Sequence, residues 1–375
     1  MKNGRKAGSR WLRQLDYAVG IPLLRLLSFV RRRGDLPETI RRIVLIKADG
    51  MGDLVLLTGV LRDLRLAYPQ ADIVMCGGGS IASLAAEMRD IDTLLPGNFT
   101  RPWEIIRKLR NLKADIIINC GQWSRCEALV AGLGNARLTI GFETPGQYQH
   151  ALYDVAVPHR NDRHELENFR SLLHPLGVTS NSTPHMEPLG RPQTQRRQII
   201  FHLWPSGVTH VALKRWPENA WVELARRCLE AGYEVTLTGG RQDFAENERW
   251  MAAQKFPEMV RNLAGCPMRE TLDCLENAAA VVSVNTGVMH LAAALGVPTV
   301  GLHGPTNAHR WGPVGPVTAI CEVAPPDGGY LNLGFEYPSD AWKRPGMDTI
   351  GVEEVWGKLR AILSPANSQA RFAEV

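Results

Sequence analysis

Asn285, Thr286, Gly287 and His290 crowd into one short stretch whose residue types suit the binding of an anion. The run Ala280–Val284 before them is apolar and β-branched, which predicts a buried parallel strand. Residues 288–295 read as a helix stopped by Gly296 with Pro298 beyond, and residues 299–302 as the next strand. In such a strand–loop–helix–strand unit the loop lies at the carboxyl edge of the sheet. Free amides and the positive end of the helix dipole draw an anion there. His290 falls in the first helical turn, so its side chain tilts back towards that end, and the dipole favours the neutral ring as an N–H donor. A core histidine satisfying a buried carbonyl is the plainer alternative. Thr286, Gly287 and the second loop of His303, Gly304, Pro305 and Thr306 tip the balance to a site.

A second cluster follows the strand at residues 41–48. Asp49, Gly50, Met51, Gly52 and Asp53 lead into a helix over residues 54–67, with Asp53 as the natural N-cap and the glycines permitting a sharp turn. Lys47 and Asp49 are supporting residues. The loop over residues 204–215, holding Ser206, Gly207 and Lys214, precedes a helix that Pro217 is suited to open. After the strand at residues 234–238, Gly239 to Asp243 form another loop, and Asp243 is placed to reach a nucleotide ribose. Residues 120–125, with Gln122 and Arg125, face the same edge as Asp53. The glycines at 77–79 read as a strand-to-helix turn, and Asp90 and Asp92, formally D-x-D, as solvated surface. H-E-x-x-N at residues 164–168 lacks the second histidine of a zinc protease motif.

Three of these segments resemble, in order, the signatures of the lipopolysaccharide heptosyltransferases, glycosyltransferase family 9. They are K-A-D-G-M-G-D-L from Lys47, W-P-S-G with K-R-W-P-E from Trp204, and S-V-N-T-G-V-M-H-L-A-A-A-L-G-V-P-T from Ser283, continuing to G-P-T at Gly304 to Thr306. The resemblance runs from about Arg41 to Leu363. It implies a GT-B fold, α/β, with two Rossmann-like domains facing each other across a cleft. It implies an inverting, metal-independent transfer of heptose from ADP-heptose to a lipopolysaccharide core or related glycan. Under it Asp53 is the base on the acceptor hydroxyl and Lys214 balances the diphosphate. Ser206, Gly207, Asn285, Thr286, Gly287, Val288, His290, Gly304 and Thr306 hold the donor, and Gln122 and Arg125 contact the acceptor. No metal or other cofactor is expected. One position departs from the pattern: many members carry Asp where this chain has Asn285, which keeps an acceptor but brings no negative charge.

At 45% apolar and 22% charged residues the chain is of ordinary globular composition and long enough for two domains. Its seven cysteines include no C-x-x-C pair and fit reduced thiols better than disulfides or zinc. Residues 1–33 carry nine basic residues against Asp16, a net +8, so the rest of the chain stands at −3 although the whole is +5. Apolar residues at 11, 12, 15, 19, 23, 24, 26, 27 and 30 give this segment a rough helical stripe, broken by Pro22. It is too short and too interrupted to span a bilayer and has no signal-peptide cleavage site. The preferred reading is a basic amphipathic segment on the inner-membrane surface, the protein being cytoplasmic and peripheral; a helix packed on its own domain, or a disordered arm, are the alternatives. Nucleic acid fits poorly, since the charge is confined to this arm.

The expected organisation is an extension at residues 1–40, an acceptor domain at 41–178, a polar linker at 179–197, a donor domain at 198–345, and a helix and tail at 346–375. The helix over residues 352–363 is expected to pack back across the domains. A dinucleotide oxidoreductase is one rival, though the first strand–helix turn lacks G-x-G-x-x-G. A catalytically silent sugar-nucleotide-binding module is another, kept open by Asn285. In a thermal-shift panel of ADP, UDP, GDP and CMP, ADP alone is expected to shift the transition strongly. A ligand at 100 times its Kd adds about 2.7 kcal/mol; a UDP or GDP preference would reassign the donor.

Overall fold

Four- to six-residue apolar runs alternating with helix-length segments can bury both strand faces only in a parallel sheet covered on each side. The chain forms two of these. The structure, a computed structural model, describes residues 10–30, 34–189, 197–205, 211–256, 258–324, 326–331, 341–344 and 346–364. The chain divides into the units Met1–Ser182 and Thr183–Val375, a boundary inside the linker expected at 179–197.

The first unit contains, in order, α1 (Arg10–Val30), β1 (Arg42–Lys47), α2 (Met51–Ala67), β2 (Asp72–Gly77), α3 (Gly79–Ala85) and β3 (Thr93–Pro96). There follow α4 (Pro102–Leu112), β4 (Ile116–Asn119), α5 (Arg125–Leu133), β5 (Leu138–Glu143), β6 (Val155–Pro158) and α6 (Glu165–Ser171). Its six parallel strands are ordered β3-β2-β1-β4-β5-β6. Helix α2 packs on α3 and α6, while α4 and α1 both pack on α5. Right-handed crossovers place these two sets on opposite faces of the sheet.

The second unit contains β7 (Gln198–His202), α7 (Glu218–Glu230), β8 (Glu234–Leu237), α8 (Phe244–Gln254), β9 (Val260–Asn262) and α9 (Met268–Glu276). It continues with β10 (Ala280–Val284), α10 (Gly287–Ala294), β11 (Thr299–His303), α11 (Ala308–Trp311), β12 (Thr318–Glu322) and α12 (Val352–Ile362). The strand order, β12-β11-β10-β7-β8-β9, is the same winding as in the first unit read from the other edge. In both sheets the order reverses beside the first strand, between β1 and β4 and between β7 and β10. Open α/β sheets bind ligands outside the carboxyl ends of the strands at such a point.

The structure adds to or corrects several expectations. The N-terminal segment forms a helix with one side packed on its own unit: Leu24 is buried in the core with Ile105, Ile106 and Leu109, and Leu23 and Leu27 lean on the same cluster, while Val19, Leu26 and Phe29 stay exposed. Gly34 after it donates from its backbone N–H to Asp154 Oδ1 at 2.9 Å. Asp92 is not merely solvated: its Oδ2 accepts the Ile73 N–H at 2.8 Å and pairs with Arg65. Helix α12 packs on α7, β10, β11 and β12, all in the second unit. The strands β6, β9 and β12 had no strong signal because they are edge strands that bury only part of their residues.

The linker is pinned at both ends. Asp63 on α2 accepts from the Ser180 and Ser182 hydroxyls at 2.7 and 2.6 Å, while the Met186 N–H donates to Ala294 O at 2.9 Å in the second unit. In that unit's core, Trp216 stands edge-on to Trp221 with ring centroids 4.9 Å apart, and its Nε1–H donates to Ile350 O at 2.9 Å just ahead of α12. Trp216→Ala is expected to destabilise the second unit by about 3–5 kcal/mol, the usual cost of emptying a buried aromatic site, read by urea unfolding.

Candidate functional site

Lys47 is the last residue of β1 and only 3% exposed. Its Nζ lies 2.9 Å from Asp53 Oδ2 and donates to Gln122 Oε1 at 3.0 Å. Gln122, in the loop after β4, donates through Nε2 to Asp53 Oδ2 at 3.3 Å and to Glu165 Oε1 at 2.9 Å. The network runs on through His159, whose Nε2 lies 2.9 Å from Glu165 Oε1 and whose Nδ1 lies 3.1 Å from the Thr144 hydroxyl. Asn168 Nδ2 holds the other Glu165 oxygen at 3.3 Å. The residues gathered here come from the loops after β1, β4, β5 and β6, all at the carboxyl edge of one sheet.

Asp53 is not the N-cap. Helix α2 starts at Met51 and its cap is Gly50, whose φ of +90° is left-handed and suits glycine. Asp53 therefore sits in the first turn with its side chain about a quarter exposed, one oxygen held by Lys47 and Gln122. Asp53 Oδ1 takes no hydrogen bond among the described residues.

Glu127 is the buried member that sequence reasoning missed. It is on α5, where Ser124 caps the helix by accepting the Glu127 N–H, and one of its carboxylate oxygens accepts the Ala48 N–H. A Cβ on Gly121 would overlap Glu127 Oε2 at 1.4 Å, so only glycine lets this loop pass over the carboxylate. Burial pushes the Glu127 carboxyl up to about 7 despite the opposing pull of Lys47 and the Ala48 N–H. For Lys47, burial disfavours the ammonium, but Asp53, Glu127 and Asp49 outweigh it and hold the group above the usual lysine range. The available signal for Glu127 was the one carboxylate in a helix that is otherwise apolar after Arg125. For Glu165 and Asn168 it was H-E-x-x-N, which keeps two polar side chains on one buried face.

Arg125 and Gln122 were expected to touch an acceptor. Gln122 is 2% exposed and committed to the network above. Arg125 is 4% exposed, with its guanidinium donating to Gly146 O at 3.5 Å and its stem against Gly20 of α1. Gln122 therefore braces the site, while Arg125 ties α5 to α1 and to the loop at Gly146.

In the second unit Thr286 is the extended N-cap of α10, Gly287 and Val288 are its first residues, and His290 is its fourth and 5% exposed. Thr286 Oγ1 lies 3.3 Å from Ser283 Oγ. Asn285 donates its backbone N–H to Leu302 O at 3.1 Å, while its half-exposed side chain makes no hydrogen bond among the described residues. The neighbouring loop after β11 is held by Thr306 Oγ1 against His303 Nδ1 at 3.3 Å and by Leu331 N–H donating to Pro305 O at 2.8 Å.

Lys214 ends the 3-10 turn Val211–Lys214 that follows β7. The turn reaches the β11 loop: a Cβ on Gly304 would lie 3.5 Å from Leu213 O. Lys214 is half-buried and, among the described residues, has no carboxylate or hydrogen-bond partner; burial lowers its basicity below the usual lysine value. A partly desolvated, unpaired cation is suited to an anion that arrives from solution. Ser206 and Gly207 lie outside the described residues. Asp243 is engaged in its own turn, accepting the Gly240 N–H at 2.7 Å. Among the described residues no three His, Cys, Asp or Glu side chains are grouped to hold a metal ion.

A family model described as glycosyltransferase family 9 (heptosyltransferase) matches residues 102–327. The chain is 26% identical over 296 residues to lipopolysaccharide heptosyltransferase 2 of Salmonella typhimurium, an overlap of 71% of this chain and 83% of that protein. The crystal structure of the family 9 glycosyl transferase of Veillonella parvula matches with a TM-score of 0.71 at 21% identity, covering 88% of this chain and 99% of that one. Escherichia coli heptosyltransferase WaaC with ADP-2-deoxy-2-fluoro heptose matches with a TM-score of 0.65 at 18% identity, covering 85% and 99%. At these identities the structural likeness establishes the fold, which is GT-B. With more than half its length matched by the family's own model, the chain belongs to glycosyltransferase family 9 and is a glycosyltransferase.

Proposed function

We propose that this chain transfers heptose from ADP-heptose to a hydroxyl of a lipopolysaccharide core or related glycan, with inversion and without a metal. The observation that carries the reading is Asp53, whose Oδ2 is fixed by buried Lys47 and Gln122 while Oδ1 is left to accept a proton. Asp53 Oδ1 takes the proton of the acceptor hydroxyl as that oxygen attacks the anomeric carbon. The bond from that carbon to the diphosphate breaks, and its electron pair leaves on ADP.

The departing charge is met by Lys214, the α10 amides at Gly287 and Val288, and His290 as a neutral donor. These groups offset the diphosphate charge that a divalent cation would otherwise have to meet. Asn285 offers both a donor and an acceptor to a sugar hydroxyl. The ADP-heptose analogue bound to the Escherichia coli relative supports the choice of donor. Since the lipid-linked acceptor lies at a bilayer, residues 1–33 would bring the protein to the inner-membrane surface as a peripheral, cytoplasmic enzyme. No described helix is long and apolar enough to cross a membrane.

Two substitutions separate the roles. Asp53→Asn is expected to lower turnover of ADP-heptose about 10²–10⁴-fold with ADP binding unchanged, the usual worth of a general base. Lys214→Ala is expected to weaken ADP binding by calorimetry and to lower turnover about 10²–10³-fold, on the scale of a lost charge-stabilising donor. Full turnover by Asp53→Asn would end the proposal.

Glu127 supplies a stability test. Its folded carboxyl titrates at about 7, above the ordinary 4.5. Its contribution is therefore fully present below about pH 4.5 and is lost as pH rises to about 7, where the buried group must ionise. Glu127→Gln should gain stability relative to the natural protein as pH is raised from 5 to 8, by up to about 3 kcal/mol. A difference between the two that stays constant with pH would show that Glu127 is already ionised when folded.

A further inference from the structure

We propose that α1 and α4 together form one docking surface for an anionic lipid bilayer, so that the first unit meets the membrane through two helices. This rests on the membrane reading of residues 1–33 and extends it to a helix that the reading did not include.

Three observations carry it. On α1 the exposed residues Ala18, Val19, Pro22, Arg25, Leu26 and Phe29 recur at helical spacing and share the side turned away from buried Leu24. Val19, Leu26 and Phe29 are 53, 66 and 87% exposed, a stripe of large apolar groups that a soluble surface does not favour. On α4, Trp103 is 64% exposed and lines up with Arg107 and Arg110 at spacings of four and three, opposite the buried Ile105, Ile106 and Leu109. Both helices flank α5 in one layer on the same face of the sheet, and their buried sides join one core cluster.

The charges on α4 are the third observation. Arg107, Lys108 and Lys113 are exposed and make no ion pair or hydrogen bond among the described residues, while the one acid of the helix, Glu104, pairs with Arg101 at 3.4 Å. An exposed indole among uncommitted cations, beside a stripe of apolar side chains, matches the headgroup region of an anionic bilayer. There apolar groups enter the acyl boundary and cations meet phosphate. A nucleic acid would use the cations but not Leu26 and Phe29; a second copy of this chain would present the same cations to them.

The test is co-sedimentation of the full chain with phosphatidylcholine vesicles, with and without phosphatidylglycerol. The natural protein is expected to bind the anionic vesicles, less as salt is raised. The α4 variant Trp103→Ala, Arg107→Gln, Lys108→Gln and the α1 variant Leu26→Ser, Phe29→Ser should each bind them at least tenfold more weakly. ADP-induced thermal stabilisation should be unchanged in both, which separates loss of docking from loss of fold. Because sedimentation needs no turnover, it stands even if the assigned sugar transfer fails. Natural binding by the α4 variant would overturn the proposal, as would equal binding to neutral and anionic vesicles. So would a dimer that the α4 substitutions dissociate in a protein that ignores vesicles.

Discussion

A lysine ammonium taken out of water at the end of a central strand must be met by carboxylates, and much of the first unit's carboxyl edge is arranged to meet that of Lys47. Asp53 from α2, Glu127 from α5 and the amide of Gln122 converge on it or beside it. Withdrawing one charge leaves the other buried and unpaired, which is far more costly than losing a surface pair. The cluster therefore fixes the loops after β1 and β4 relative to each other, and with them the rotamer of the carboxylate assigned as base. The glycine at 121 and the left-handed Gly50 are backbone concessions to the same cluster.

The two units solve their placement problem in one way. Each sheet reverses its winding beside its first strand, the point at which open α/β sheets take up ligands outside the carboxyl ends of the strands. In the first unit these loops carry Lys47, Asp53 and Gln122; in the second they carry Lys214 and the start of α10. The contrast is in charge. The first unit surrounds its cation with acids and leaves a carboxylate oxygen open, whereas the second leaves a cation without an acid and opens a helix at Thr286. One arrangement is suited to taking a proton and the other to holding a departing diphosphate.

Much of this was legible from residue order. The central strands announce themselves as β-branched runs, and the ligand-side loops as the glycine, asparagine and proline that interrupt them. The edge strands β6, β9 and β12 escaped because they bury fewer of their residues and so read less apolar. Asp53 was misjudged as a cap because its role depends on Gly50 adopting a positive φ, which residue type permits but does not demand. The network through Glu127, Glu165 and His159 was hidden because it joins residues far apart in the chain, and no local period records such a meeting. The packing of α1 was hidden likewise, since its basic, amphipathic pattern is equally suited to lipid and to a domain surface.

The seating of α1 on α5 also bears on how the chain is made. The helix leaves the ribosome before any strand of either sheet, yet Gly20 finds its neighbour in Arg125 and Arg25 stacks over Tyr148 at 4.6 Å. Contacts so distant in sequence form slowly and only after the intervening loop has closed. During synthesis α1 must therefore wait, with Leu24 unburied, until β4 and α5 have been translated. Over that interval a chaperone or the bilayer itself is its natural resting place.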